Sequence, residues 1–302
     1  MAEVYYVDVS RTAVNGKGRQ KLHYAFDGEK ILKIRRLTRL KDASEVFIDS
    51  LFPEIYNEIL ELLKKGTKVH LLKDTRVLKK LRRDNNLRKS DEVDAQLLSM
   101  IPRDSFRLLT FEEIEFKMKV RPVIRKYEWL ARWKKTLKIL ISKGFDYYFR
   151  ESIKLIEKDL KETTKEIISM VSNSCYREIY RKACEALRVK DSVEVAVLVM
   201  ELPLHLGVGK LRAYLGLNPV KNNNQYNRRL KRHLEALTYN ILINNYRKKK
   251  DRPEEFINIV KSSSSRGEAM LRIQLTILRI LRKAWIEANS TKPIRGLPTN
   301  EQ

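Results

Sequence analysis

The fold class is indicated by residues 45–72, whose sequence is EVFIDSLFPEIYNEILELLKKGTKVHLL. The first six residues predict a short buried strand that ends in an acid, Asp49, and residues 68–72 predict the next strand. Between them, residues 53–65 predict a helix with one apolar face, formed by Ile55, Ile59, Leu60 and Leu63. A strand, a helix and a second strand with short connections form a parallel crossover, so we expect an α/β domain.

Upstream, residues 4–10 form a β-rich run that carries Asp8 on the face opposite Val7 and Val9. A carboxylate in an apolar strand costs free energy unless a partner offsets its desolvation, and a metal ion is such a partner. An edge strand whose acid faces water is the alternative interpretation. Residues 12–14 and 22–26 predict further strands, and the Asn-Gly pair at positions 15 and 16 predicts a turn between them.

Two more acids follow in residues 88–98, whose sequence is RKSDEVDAQLL. Ser90 is a predicted N-cap, and Asp91 and Asp94 lie on one face of the helix that it begins. Acids in a first turn also favour the helix dipole without any metal, which is the simpler interpretation. Functional groups collect at the carboxyl ends of parallel strands, so we expect Asp8, Asp49, Asp91 and Asp94 to converge on one site. Such a cluster suits phosphodiester chemistry with Mg²⁺ or Mn²⁺.

The charge of the chain points to a polyanionic partner. The formal net charge is +25 and the pI is about 9.9, which makes nucleic acid the first candidate. A basic membrane-surface protein is the competitor, but here the charge is spread over the whole chain. No apolar run approaches the ~20 residues of a spanning helix, and we expect no membrane partner. With no predicted signal peptide and only two cysteines, we expect a cytoplasmic protein.

The middle of the chain is predicted to be helical. Residues 109–142 predict one long helix with Pro122 inside it, and Trp129 is expected in the core. Trp133 lies between basic residues, and either a core position or stacking on a base is open for it. A coiled-coil seam, belonging to a helical hairpin or a dimer, is predicted from Ile153, Ile156, Leu160, Thr163, Ile167 and Met170.

Basic residues in the C-terminal third are concentrated in a loop and at both ends of the following helix. Groups of this kind typically contact phosphates without reading sequence. A solvated charged face is the alternative, but between Lys221 and Lys250 Glu235 is the one acid. Including two residues upstream, the predicted nucleic-acid-binding residues are Lys89, Arg132, Lys221, Arg228, Arg229, Lys231, Arg232, Lys248 and Lys249.

Together these motifs resemble the DEDD transposases of the IS-one-ten family of insertion sequences. The family signature Lys-Thr-Asp-x-x-Asp-Ala is similar to Lys89-Ser90-Asp91-Glu92-Val93-Asp94-Ala95. The strands that carry Asp8 and Asp49 precede it in the family order. Residues 118–140 resemble the arginine-rich helix of the family, and residues 212–219, RAYLGLNP, resemble its Leu-Gly-Leu-x-Pro motif.

The resemblance implies a RuvC-like, RNase H-type domain over residues 1–107 whose acids bind divalent metal. Long helices or a coiled coil are predicted over 108–188, and the resemblance implies a mostly α-helical transposase domain over 189–288. Residues 289–302 are polar and contain Pro and Gly, which predicts a disordered tail. DNA, a bridge RNA and a dimer or tetramer are the implied partners. At the second acid the family has Glu before Ala-Thr-Gly, whereas this chain has Asp49 before Ser-Leu-Phe, with Glu54 as a nearby substitute.

The expected function is therefore that of a DNA transposase or recombinase that acts on phosphodiesters with divalent metal and is guided by RNA. Asn223 stands where the family has its nucleophilic serine, and an amide cannot form the covalent phosphoester. Two alternatives follow from this difference: a non-catalytic nucleic-acid-binding protein derived from such an enzyme, and a nuclease similar to junction resolvases.

Overall fold

The computed structural model describes residues 3–10, 22–40, 42–217, 226–247 and 253–290. Its internal contacts divide the chain into two compact units, Met1–Lys119 and Val120–Gln302. The predicted strand at residues 12–14, its turn and residues 291–302 of the predicted tail lie outside the described residues. Asn289 and Ser290, which were predicted to belong to the disordered tail, instead end the last helix. The four-part division made from the sequence stays a prediction.

The first unit is built on a six-stranded mixed sheet, which confirms the predicted α/β class. The order across the sheet is β3-β2-β1-β4-β5-β6. β1 is parallel to β4 and β4 to β5, whereas β2, β3 and β6 pair in antiparallel fashion. The strands are β1 Glu3–Asp8, β2 His23–Phe26, β3 Ile31–Ile34, β4 Ala43–Ile48, β5 Lys68–Leu72 and β6 Phe106–Leu108.

The central strands show why the sheet forms here. Tyr5 and Val7 of β1 are buried, and the intervening residues are half-buried, as the predicted alternation requires. In β4 the consecutive residues Val46, Phe47 and Ile48 are all buried, because both faces of this strand are covered. Val46 and Ile48 belong to one apolar cluster, whereas Phe47 belongs to the other.

Three helices complete the first unit before the long helix begins. They are α1 Tyr56–Lys64, α2 Arg76–Asp84 and α3 Asp91–Ser99. α1 supplies Ile59 and Leu62 to the cluster on one face of the sheet, and it ends just before Gly66, whose φ of +87° is the left-handed conformation expected after a helix. α2 and α3 supply Leu78, Leu97 and Leu98 to the cluster on the other face.

The division between the units falls inside a long helix, and among the described residues the second unit contains helices and their connections without a strand. The long helix predicted around Pro122 is confirmed. The helices are α4 Phe111–Ser142, α5 Asp146–Ser172, α6 Arg177–Leu187, α7 Val193–Glu201, α8 Val208–Tyr214, α9 Arg228–Arg247, α10 Glu254–Ser262 and α11 Arg266–Ser290. No helix among the described residues is long and apolar enough to cross a membrane.

In the two long helices, the burial of the α5 seam agrees with the prediction, whereas the exposure of Trp129 on α4 does not. All six residues of the predicted α5 seam are buried or half-buried, and Lys134 of α4 pairs with Glu157 of α5 at 2.9 Å, as an antiparallel hairpin requires. A coiled coil along this seam stays a prediction. The expected core position of Trp129 is wrong, because 62% of this residue is exposed to solvent.

Candidate metal centre

Two of the predicted acids meet at the carboxyl edge of the sheet. Asp8 is the last residue of β1, and Asp49 directly follows β4. The strands are parallel neighbours, with Val7 paired to Ile48, so the two acids leave the sheet at the same level. The backbones of the two strands also meet here, because the Asp49 amide donates a hydrogen bond to the carbonyl of Val7 at 3.4 Å.

Asp49 is held by its neighbours through both carboxylate oxygens. The Val9 amide donates to Oδ1 at 2.9 Å, and the Ser50 hydroxyl donates to Oδ2 at 2.8 Å. Burial raises the pKa of Asp49 from an ordinary value of 3.8 to about 6, while these two hydrogen bonds oppose the shift. The residue that stands where the family has glutamate is therefore fixed in orientation.

The other two acids are brought in by α3, which packs across β1 and β2. The Ser90 hydroxyl accepts a hydrogen bond from the Val93 amide at 3.1 Å, which confirms the predicted N-cap. Asp91 is exposed, whereas Asp94 is only 5% exposed. A buried carboxylate needs a partner, and the guanidinium of Arg82 in α2 supplies one by donating to Oδ1 of Asp94.

The pKa of Asp8 indicates that the four acids interact electrostatically. This pKa is raised from 3.8 to about 8, first by burial and then by the negative charges of Asp49, Asp91 and Asp94; Lys89 opposes the shift. The structure therefore brings the four sequence-predicted acids into one electrostatic cluster, the Asp8 cluster, defined as Asp8, Asp49, Asp91 and Asp94. Glu54, the possible substitute, is exposed in a turn before α1.

The Asp8 cluster contains the carboxylates that a hard cation binds, but their oxygens lie too far apart to coordinate one ion together. In the described part of the chain, no group of three or more His, Cys, Asp or Glu side chains is placed to hold a metal ion. Carboxylate oxygens are the ligands that Mg²⁺ and Mn²⁺ prefer. The raised pKa of Asp8 shows that its ionised form is disfavoured by burial and by the other three acids, and a bound cation would offset this cost. The donor set therefore fits such an ion once the side chains approach one another.

Arg82 is a residue of this site that the sequence analysis missed. It lies in a strongly basic run, residues 76–83, for which the sequence analysis predicts no element. Within that run Val77, Leu78 and Leu81 recur at helical spacing and pack against the sheet. This spacing predicts a helix with one apolar face, and it places Arg82 next to that face. A cation in such a partly buried position requires an acidic partner, so the pattern could have indicated the pairing of Arg82 with an acid.

The predicted nucleic-acid-binding residues divide into different environments. Lys89, Arg132, Arg228 and Arg232 are exposed. Lys231 lies over the ring of Tyr226, 4.9 Å from its centroid, and 3.9 Å from Glu235. Lys221, Lys248 and Lys249 lie outside the described residues, as does Asn223.

Arg229 differs from its neighbours because acids within the second unit bind it. Its Nε donates to Glu128 at 2.6 Å, and its Nη1 donates to Glu201. His233 contacts the same oxygen of Glu128 at 2.9 Å. Burial would raise the pKa of Glu128, but His233 and Arg229 outweigh it and hold that pKa below its ordinary value. The structure thus gives Arg229 a role in joining α4, α7 and α9, and a phosphate contact by this residue stays a prediction.

The glycine of the Leu-Gly-Leu motif is required by the local backbone conformation and by a close contact. Gly216 follows α8 with a φ of +65°, and a methyl group at its α-carbon would lie 2.5 Å from the Tyr226 ring. The next residue, Asn227, donates its amide to the Tyr214 carbonyl at 3.0 Å and accepts from the Leu230 amide at 3.0 Å. Gly216 of the motif therefore closes α8, and Asn227 caps the start of α9.

Replacing Gly216 with alanine is expected to lower the free energy of unfolding by about 2–4 kcal/mol, the sum of a left-handed residue and an overpacked contact. The matched control is Gly209→Ala, since Gly209 is exposed in α8 with no atom within 4 Å of an added methyl group. The control is expected to leave stability unchanged or to raise it by up to about 1 kcal/mol. Chemical denaturation measures both, and equal effects of the two changes would contradict the assignment.

Comparison with known proteins adds no assignment: no protein-family model matches the chain, and no curated protein matches its sequence.

Proposed function

We propose that the protein is a metal-dependent transposase or recombinase of the IS-one-ten type, acting on DNA phosphodiesters through the Asp8 cluster. The observation that carries the proposal is the placement of Asp8 and Asp49 at the ends of the parallel neighbours β1 and β4, where the half-buried carboxyl of Asp8 is repelled by the charges of Asp49, Asp91 and Asp94. A divalent cation there would offset this repulsion. The mixed sheet, with two acids at the ends of parallel neighbours and two on a helix across it, supports a RuvC-like, RNase H-type fold for this unit.

In this proposal Asp8, Asp49, Asp91 and Asp94 hold Mg²⁺ or Mn²⁺, which would neutralise phosphate charge and favour attack on phosphorus when bound. The surrounding residues prepare the acids for this role. Val9 and Ser50 fix the Asp49 carboxylate, and Arg82 neutralises Asp94 until a stronger cation competes for it. Exposed Lys89 lies close enough to Asp8 to act on its pKa, and it would meet a phosphate oxygen at the mouth of the site.

The positive charge of the chain supports DNA as substrate and an RNA partner, both of which the family resemblance implies, together with a dimer or tetramer. One specific observation favours a second candidate. Asn223 occupies the place of the family's serine, so a binding protein without cleavage, or a metal nuclease without a serine step, accounts equally well for the acids and the charge.

The experiment that tests the proposal is cleavage of branched and duplex DNA with Mg²⁺ or Mn²⁺, with and without co-purified RNA. Metal-dependent cutting is the expected result, and cutting of branched DNA alone without RNA would indicate the nuclease. Tight binding with no cutting under any condition would contradict catalysis and favour the binding protein.

Metal binding is measured separately from cleavage. Mn²⁺ is expected to raise the thermal unfolding temperature of the wild type, since a ligand that binds only the folded state stabilises it. The double variant Asp91→Ala, Asp94→Ala is expected to lose this shift. An unchanged shift would show that the metal binds elsewhere and that the site assignment is wrong.

A further inference from the structure

Two large aromatic side chains lie on the solvent side of α4. Trp129 is 62% exposed and Trp133, one turn later, is 55% exposed. Their ring centroids are 6.2 Å apart and the rings are tilted by 35°. Tryptophan is highly buried on average, so two such neighbours in solvent leave a large apolar surface uncovered.

The charge around these rings is entirely positive among the exposed residues of this part of α4. Arg125 and Lys126 lie one turn before Trp129, and Arg132 lies one turn after it, all exposed. Among the described residues none of the three cations forms an ion pair. The sole acid from residue 120 to residue 142 is Glu128, and it is bound to Arg229 and His233.

This combination of flat apolar rings and unneutralised cations decides between possible occupants. An apolar protein surface would cover the rings, but it would supply no negative charge to the cations. Duplex DNA would satisfy the cations, but its base faces are stacked inside. An unpaired nucleotide satisfies both, because its base stacks on an aromatic ring and its phosphate pairs with a cation.

We propose that Trp129 and Trp133 form a stacking platform for unpaired bases of a single-stranded nucleic acid, whose phosphates are bound by Arg125, Lys126 and Arg132. The inference rests on the proposed function only in taking nucleic acid as the partner. It requires neither the Asp8 cluster nor cleavage. It assigns to α4 a contact with bases, in addition to the phosphate contact predicted for Arg132.

The chain contains three tryptophans, so intrinsic fluorescence reports directly on the platform. The third, Trp285, is half-buried in α11, and a Trp285→Phe variant leaves the platform as the only source of tryptophan emission. This variant is titrated in EDTA with an oligo-dT of about 15 nucleotides, within the range of known single-strand sites. The same titration uses an abasic oligomer of equal length and charge. Strong quenching by oligo-dT and little by the abasic oligomer is the expected result.

Affinity supplies the second readout. Replacing both Trp129 and Trp133 with alanine is expected to weaken oligo-dT binding by about tenfold or more, while the weaker abasic binding stays unchanged. Leu155→Ala is the matched control, because Leu155 is 65% exposed on α5 and its loss removes apolar surface without an aromatic ring. Both changes are at exposed positions, so the fold is expected to survive them.

Three results would overturn the proposal: equal quenching by the abasic oligomer, unchanged oligo-dT affinity of the double alanine variant, or an equal loss in the Leu155 control. A change of oligomeric state in the double variant, with oligo-dT affinity intact, would assign the surface to contact between protein copies instead. Because the titrations contain EDTA, an absence of metal-dependent cleavage leaves the platform standing, and failure of the platform leaves the proposed catalysis standing.

Discussion

Replacing Asp8 with asparagine is expected to abolish metal-dependent cleavage and, at the same time, to make the metal-free protein more stable. Asparagine keeps the size of the side chain but cannot supply a charged oxygen to the metal, so a loss of at least about a thousandfold in rate is expected if the ion acts as proposed. Stability rises because asparagine is neutral, so folding of the variant requires neither a negative charge beside Asp49, Asp91 and Asp94 nor the uptake of a proton at this position.

The pH dependence of this stabilisation has a defined sign. The folded-state pKa of Asp8 is about 8, whereas the unfolded value is 3.8, so between these values the folded wild type binds more protons than the unfolded chain. The wild type therefore loses stability as pH rises from about 4 to about 8. Since each pKa unit corresponds to about 1.4 kcal/mol, the advantage of the asparagine variant should reach about 2 kcal/mol or more near pH 8 and vanish below pH 4.

Urea denaturation from pH 4 to pH 8, with and without Mn²⁺, measures this effect. Mn²⁺ is expected to stabilise the wild type and so to reduce the advantage of the variant. The control is Asp84→Asn, which changes a more exposed acid at the end of α2 and is expected to alter neither cleavage nor the pH profile. A variant that loses cleavage together with stability at pH 8 would show that Asp8 has an ordinary structural role.

Replacing Arg229 with methionine is expected to lower the free energy of unfolding by on the order of 2–3 kcal/mol. The change leaves Glu128 and Glu201 without the guanidinium that both of them bind. Loss of one partner from a fully buried ion pair costs about 3–5 kcal/mol. The expectation here is smaller because 34% of the Arg229 side chain is exposed, and solvent screens part of the interaction.

The neighbouring Arg228 is the matched control, because it is exposed at the start of the same helix. Arg228→Met is expected to leave stability within about 0.5 kcal/mol and to weaken nucleic-acid binding in a salt-dependent manner. Denaturation and binding titrations on the two variants separate the roles. If Arg228→Met destabilised the protein and Arg229→Met only weakened binding, the assignment made from the ion pairs would be reversed.

The sheet of the first unit was predictable where apolar periodicity and turn signals coincided. β1, β4, β5 and α1 all follow from short runs with clear ends such as Gly66. β3 and β6 were missed because each has only three or four residues, and their stability depends on the strands beside them. α2 was missed because five cations in nine residues obscured its apolar positions.

The candidate site was predictable as a set of residues but not as an arrangement. Strand ends and the Ser90 cap allowed Asp8, Asp49, Asp91 and Asp94 to be named, since those signals are local. The pairing of Asp94 with Arg82 and the exposure of Trp129 depend on how separate elements pack, which helical spacing alone does not determine. An aromatic at helical spacing predicts a helix face, but whether another element covers that face is a tertiary property.

The pairing of β1 with β4 also has a consequence for the time course of folding. β2 and β3 are neighbours in sequence, so their hairpin closes a short loop and can form early, whereas the contact of Val9 with Asp49 joins positions 40 residues apart. α3 comes later still in the chain and brings Asp91 and Asp94 toward Asp8 and Asp49. If a divalent cation binds between these acids as proposed, we expect it to favour the docking of α3 and so to accelerate refolding of the first unit.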